Sequence, residues 1–160
     1  MPTSLLFLIN GISSLLAWNA VLSSLDYFAY VYADYSVYTL FTPPLFVGYF
    51  IICLLYQKLS LKFSYRVLII FGITVANVAL VLLLLLALTC KESQAFGFYM
   101  SLICNFTLGV GANCSQLSFF SMINYLSQSV VSRFTIGTAL SGLSLNILRL
   151  IIVAIAGTDN

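Results

Sequence analysis

From Val67 to Cys90 the chain carries no charged side chain, and residues 79–89 read ALVLLLLLALT. A stretch this long and this apolar excludes a surface element of a water-soluble domain. It is long enough to cross the hydrocarbon core of a bilayer, which takes about 20 residues as a helix. Lipid offers no partner to bare backbone N–H and C=O groups, so such a span must be helical. The pattern recurs, giving five expected spans over 4–31, 38–57, 65–89, 95–124 and 130–156. The first, fourth and fifth exceed the minimum, so tilt or protruding ends are expected there.

Composition supports the same class. Of 160 residues, 62% are hydrophobic and only 6% charged, against about a quarter charged in soluble domains. Mean hydropathy is +1.11. The expected fold class is an all-α, polytopic membrane helix bundle of about five transmembrane helices. It is expected to form a single membrane domain over 1–160, incomplete and short of later spans. A net charge of +2 gives no reason to expect a nucleic-acid partner. There is no histidine, which removes imidazole catalysis and His-ligated metal. With no P-loop, HExxH or GxSxG pattern either, we expect no enzyme, no catalytic residue, no metal and no cofactor. Cys53, Cys90, Cys104 and Cys114 form no CxxC pair and read as small packing residues.

The first run is not a signal peptide. It lacks a basic leading segment, is too long, and is interrupted by Asn10 and the Trp18–Asn19 pair. Lys58, Lys62 and Arg66 surround the second loop and Arg133 follows the fourth, whereas the first loop has Asp34 and the third has Lys91 beside Glu92. Positive-inside bias then places the N-terminus in the cytosol and Thr158-Asp159-Asn160 outside. Tyr27, Tyr30, Tyr32, Tyr35 and Tyr38 crowd the first loop like an aromatic belt. Two glycan acceptor patterns, Asn105-Phe-Thr107 and Asn113-Cys-Ser115, fall inside the fourth span and read as coincidences.

Polar residues within the spans fall in stripes. In the fourth span Asn105, Gly109, Asn113, Gln116 and Phe120 share one helical face; in the fifth, Thr135, Thr138, Gly142, Asn146 and Arg149 do. The first has Asn10, Ser14 and Trp18, while the third offers little beyond Asn77. Small residues and carboxamides serve as contacts between membrane helices, and polar faces also mark substrate routes. Three stripes in one small bundle favour a hydrated cavity. Asp26 and Arg149 both lie toward the outer end, as candidate outer-mouth charges that either reach the interface separately or pair. Thr42-Pro43-Pro44 predicts a bend or local unwinding in the second span.

Several of these residues together resemble the N-terminal part of the equilibrative nucleoside transporter family (solute carrier family 29). The likeness rests on Leu16-Ala17-Trp18-Asn19 followed by Asp26-Tyr27-Phe28, and on Pro44 preceding Gln57-Lys58. It continues with Gln116, then Gly137-Thr-Ala-Leu-Ser-Gly142, then Asn146-Ile-Leu-Arg149. The resemblance implies the first five spans of an eleven-span, major-facilitator-like transporter. It implies that Trp18 contacts a nucleobase, that Gln116 bonds its edge, and that Thr42 and Leu45 stand where the second span meets the ligand. Gly137 and Gly142 would allow close packing or substrate approach.

Independently of the family, a nucleoside asks for a stacking ring and carboxamides, and Trp18, Asn113 and Gln116 supply that set. Asn19 and Asn146 join the packing or cavity positions. The expected function is facilitative transport of nucleosides or nucleobases by alternating access, at the plasma membrane or an intracellular one. The expected partners are the small-molecule substrate, the lipid bilayer and further helices of a longer transporter. The alternative is a truncated, non-transporting membrane interaction protein that assembles with other helices.

Overall fold

The computed structural model describes residues 2–90 and 93–156, so Lys91, Glu92 and Thr158-Asp159-Asn160 lie outside the described residues. The described residues form seven helices: α1 Pro2–Ser23, α2 Leu25–Val31, α3 Val37–Leu40, α4 Thr42–Lys62, α5 Tyr65–Thr89, α6 Gln94–Ile123 and α7 Gln128–Ala156. Five segments are long and apolar enough to cross a membrane: Leu5–Ser23, Val37–Lys62, Tyr65–Thr89, Gln94–Ile123 and Gln128–Ile155. The chain is an all-α membrane helix bundle.

Two of the expected runs are divided. The run over 4–31 breaks at Ser24, where ψ rises to 7° between α1 and α2. The Ser24 amide is shared between the carbonyls of Ala20 and Val21, both at 3.1 Å. Two consecutive serines, 23 and 24, are poor helix formers. Asp26 then stands in the first turn of α2, where a carboxylate suits the helix dipole. The second run divides at Phe41, which closes α3 and opens α4. Pro43 and Pro44 fall in the first turn of α4, where a missing amide donor leaves no gap. The prolines start α4 and leave the span Val37–Lys62 interrupted at Phe41, the local unwinding expected there.

The helices alternate in direction. α1 runs parallel to α7, since Asn19 meets Ser141 and Asp26 meets Arg149. α4 runs parallel to α6, with Asn113 reaching Tyr49 and Ser121 reaching Tyr56. α5 runs antiparallel to α6, with Gly72 against Ser115 and Ala76 against Gly111. α6 is the central helix, packed against α4, α5 and α1, while α7 rests on α1. Lys58, Lys62, Arg66 and Arg133 thus share one end of the bundle, and Asp26 and Asp34 the other.

Glycines from both helices mark each main crossing. Gly48 and Gly109 lie where α4 crosses α6, Gly72 and Gly111 where α5 crosses it, and Gly11 and Gly137 where α1 crosses α7. A Cβ on Gly111 would stand 2.6 Å from the Ala76 nitrogen and 2.8 Å from the Gly72 oxygen. Dispersion between closely approaching backbones holds membrane helices together, because apolar burial gains little against lipid. α5 buries its small positions, Gly72, Ala76, Ala79 and Ala87, and turns Val78, Val81, Leu82, Leu84, Leu85 and Leu88 outward.

The end bearing the acidic residues is closed by aromatic packing. Tyr35 stacks on Phe98 at 4.3 Å and 14°, and Tyr32 and Phe41 pack around the same ring. Tyr32 departs from the belt expected of the first-loop tyrosines: it is fully buried, with its hydroxyl 3.0 Å from Ser101 Oγ. Burial pushes its phenol above the usual value, with the Ser101 hydrogen bond pulling the other way. Tyr27, Tyr30 and Tyr38 are exposed, as a belt requires.

Candidate functional site

The polar stripe of α6 is directed mainly at α4. Asn113 is completely buried. Its Nδ2 donates to the Tyr49 carbonyl at 2.5 Å and lies 3.1 Å from Cys53 Sγ. One turn further on, the Tyr49 hydroxyl donates to Gln116 Oε1, and beyond that Tyr56 donates to Ser121 Oγ at 3.2 Å. Phe46, Tyr49, Cys53 and Tyr56 follow steps of three, four and three, so they form one face of α4. That spacing was readable in the sequence, but aromatic residues in a membrane span do not announce themselves as polar partners. Tyr49 is the residue that sequence reasoning missed.

Trp18 brings α1 to the same place. Its ring lies 4.8 Å from Phe46 at 77° and 5.7 Å from Tyr49 at 69°, both edge-to-face arrangements. Trp18, Tyr49 and Gln116 therefore converge from three helices. Trp18 and Gln116 are both half-buried, and the Gln116 amide meets the Tyr49 hydroxyl. Of the other positions singled out on α4, Thr42 sits in its first turn, half-buried. Leu45 is buried in the core, its carbonyl pressed against Gly109.

The α1–α7 seam holds the second group. Asn19 Nδ2 donates to Ser141 Oγ at 3.2 Å, and a Cβ on Gly142 would meet the Asn19 carboxamide at 3.7 Å. Ser141, buried one position before Gly142, was not singled out by the stripe over Thr138 and Gly142. Gly137 is the backbone crossing point. Asn146 is exposed, off the seam. At the acidic end Asp26 and Arg149 form an ion pair, and the Tyr38 hydroxyl donates to the other Asp26 oxygen at 2.8 Å. The pair lies in the wall of a cavity of about 350 Å³ that includes Tyr27 and Leu148.

Reversing either charge alone, by Asp26→Arg or Arg149→Asp, is expected to loosen the α1–α7 seam, and the double swap to restore it. Both side chains are about half exposed, so a coupling of about 1 kcal/mol is expected, the scale of a surface pair. The measurement is detergent-induced unfolding of the four proteins. A double swap no more stable than either single reversal would discard the pairing.

A larger cavity, about 480 Å³, lies on the other side of α1, between it, α5 and α6, lined in part by Asn10, Ser13, Ser14, Asn77 and Ser115. Its polar groups are largely committed to their own helices. Ser13 bonds the Ile9 carbonyl, Ser14 that of Gly11, Asn77 that of Ile73 and Ser115 that of Ala112. Such a lining suits helix packing more than capture of a polar solute. Trp18, Asn113 and Gln116 do not line it. Asn105, on the α6 face shared with Ser101, Leu108 and Ala112, is completely buried, and neither polar atom of its carboxamide has a partner among the described residues.

Five apolar helices crossing at glycines around a buried polar seam define a multi-pass α-helical integral membrane protein. Its sequence is similar to three plant transporters. It is 28% identical over 148 residues to equilibrative nucleotide transporter 4 of Arabidopsis thaliana, covering 89% of this chain and 34% of that protein. It is 26% identical to equilibrative nucleotide transporter 8 (88% and 36%) and 28% identical to equilibrative nucleotide transporter 6 (92% and 35%) of the same plant. The family resemblance carried by the motifs, to the equilibrative nucleoside transporters, thus extends along most of the chain. The chain spans about a third of the length of these relatives. No family model matches it, and no solved structure does.

Proposed function

We propose that this chain forms one side of a facilitative carrier for nucleosides or nucleobases, working by alternating access. The observation that carries the reading is the convergence of Trp18, Tyr49 and Gln116 from α1, α4 and α6. An indole and a carboxamide answer a base, which brings an aromatic face and hydrogen-bonding edges. Asn113 positions α4 against α6 and so holds Tyr49 in place. The relatives are named as transporters, and the substrate's own gradient supplies the driving force.

Those relatives are named for nucleotides, which bring phosphate charge. Tyr49 and Gln116 offer no cation to meet it, Lys58 and Lys62 fall toward the far end of α4, and Arg149 is engaged by Asp26. A neutral nucleoside or base fits this site better. Further helices of a longer transporter complete the chamber, and the end bearing Lys58, Lys62, Arg66 and Arg133 faces the cytosol, with the plasma membrane as the residence.

Trp18 is the chain's single tryptophan, so its emission reports directly on the site. Titrating adenosine or uridine into the chain in lipid nanodiscs is expected to quench Trp18 saturably, with ribose inert and adenosine monophosphate weaker. Emission indifferent to every nucleoside and base would remove the reading.

A further inference from the structure

We propose that the crevice between α4 and α5, at the basic end of the bundle, binds one anionic phospholipid, with a tail in the crevice and the phosphate against Lys62 and Arg66. The site is separate from the base-binding reading and does not depend on it.

α4 and α5 are joined by a turn of two residues, Phe63 and Ser64, and both pack on α6 while scarcely touching each other. Between them lies a cavity of about 220 Å³. Ile52, Leu59 and Phe63 form one wall, Val67 and Phe71 the other, and Cys114 of α6 the floor. None of the lining side chains carries a charge, a hydroxyl or an amide, and the Cys114 thiol is turned to the Leu68 carbonyl at 3.7 Å. A free anion finds no polar partner inside such a slot; an acyl chain needs none. Phe63, Val67 and Phe71 are half-exposed, so the cavity opens sideways toward lipid. From Phe63 down to Ile52 is about 16 Å along α4, and one leaflet of hydrocarbon is about 15 Å deep.

The mouth supplies the charge. Lys62 is the last residue of α4, next to Phe63, and Arg66 precedes Val67 in the first turn of α5. Lys58 stands one turn before Lys62. All three are exposed and none makes an ion pair among the described residues, whose carboxylates, Asp26 and Asp34, stand at the opposite end. Unpaired cations on the rim of an apolar slot complement an anionic head on an apolar tail. Lysine and arginine near a bilayer surface attract anionic lipid in general; the slot selects one lipid and fixes its place.

The test is native mass spectrometry of the delipidated chain in detergent, titrated with phosphatidylserine or phosphatidylcholine of the same acyl chains. The parent is expected to take up one phosphatidylserine with roughly tenfold preference over phosphatidylcholine. Lys62→Gln combined with Arg66→Gln should bring that ratio close to one. Val67→Trp, which fills the slot and keeps every cation, should lose the preferred first uptake. Arg133→Gln, at the same end but outside the crevice, should leave it unchanged. Equal uptake of the two lipids by the parent, or a dimer of the chain that takes up neither, overturns the proposal. So does an Arg133→Gln effect as large as that of the paired substitution, or parental uptake by Val67→Trp, since either means charge without a built slot. Full competition by glycerophosphoserine, which has the head and no tail, overturns it too. Should Val67→Trp fail to fold, that competition decides whether the tail is needed.

Discussion

Gly137→Ala should destabilise the bundle, and Gly142→Ala, five residues along the same helix, should stabilise it. Each change adds one methyl group in α7, and each gains about 1 kcal/mol of helix propensity. The surroundings reverse the sign. A Cβ on Gly137 would be driven into the Leu8 carbonyl, with Gly11 Cα at 3.0 Å and the Ile12 nitrogen at 3.1 Å. These are backbone atoms of α1, which cannot swing aside, so α1 and α7 must separate. Overpacking of this kind costs about 3 kcal/mol, leaving a net loss of about 2 kcal/mol. A Cβ on Gly142 would meet only the Asn19 carboxamide, at 3.7–3.9 Å, an ordinary contact, so most of the propensity gain should survive. Thermal unfolding in detergent of the parent and the two variants reads the difference. A Gly142→Ala variant as damaged as Gly137→Ala would mean that the two glycines share a role.

That contrast shows where the sequence was legible. The two glycines fall in one motif, and spacing alone treats them alike; only the position of α1 separates a crossing point from an open one. The helical class, the lipid-facing leucines of α5 and the shared polar face of Asn113 and Gln116 follow from period and hydropathy, because backbone satisfaction in lipid leaves few alternatives. What the stripes could not say is which helix each faces. Asn113 and Gln116 engage Tyr49 and Cys53 of α4, residues whose polarity a hydropathy reading overlooks. Asp26 and Arg149 were visible as two charges at one end, and their pairing depends on α1 and α7 running parallel. The break at Ser24 was hidden because the apolar run continues through it. The prolines suggested a bend or local unwinding, and the second span is interrupted at Phe41, with the prolines in the first turn of the helix that resumes at Thr42.

Asn105→Leu should raise stability, whereas Asn113→Leu should lower it. The two asparagines lie two turns apart on α6 and are equally buried. Asn113 donates to a backbone carbonyl and contacts a thiol, so its replacement forfeits formed interactions and frees the α4 backbone beside Tyr49. Both polar atoms of Asn105 are without a partner among the described residues. A buried carboxamide in that state costs about 1–3 kcal/mol relative to an apolar group, and leucine keeps the branched shape. Allowing for its bulkier methyl groups, the expected gain is about 1–2 kcal/mol, read as resistance to detergent-induced unfolding. Asn113 Oδ1 is itself without a partner among the described residues, which offsets part of the loss in Asn113→Leu and leaves about 0.5 kcal/mol, on the scale of hydrogen bonds between membrane helices. If Asn105→Leu instead destabilises as much as Asn113→Leu, the Asn105 carboxamide is satisfied in the membrane by water or solute. The polar route would then extend along α6 past the crossing with Leu45, toward Ser101 and Tyr32.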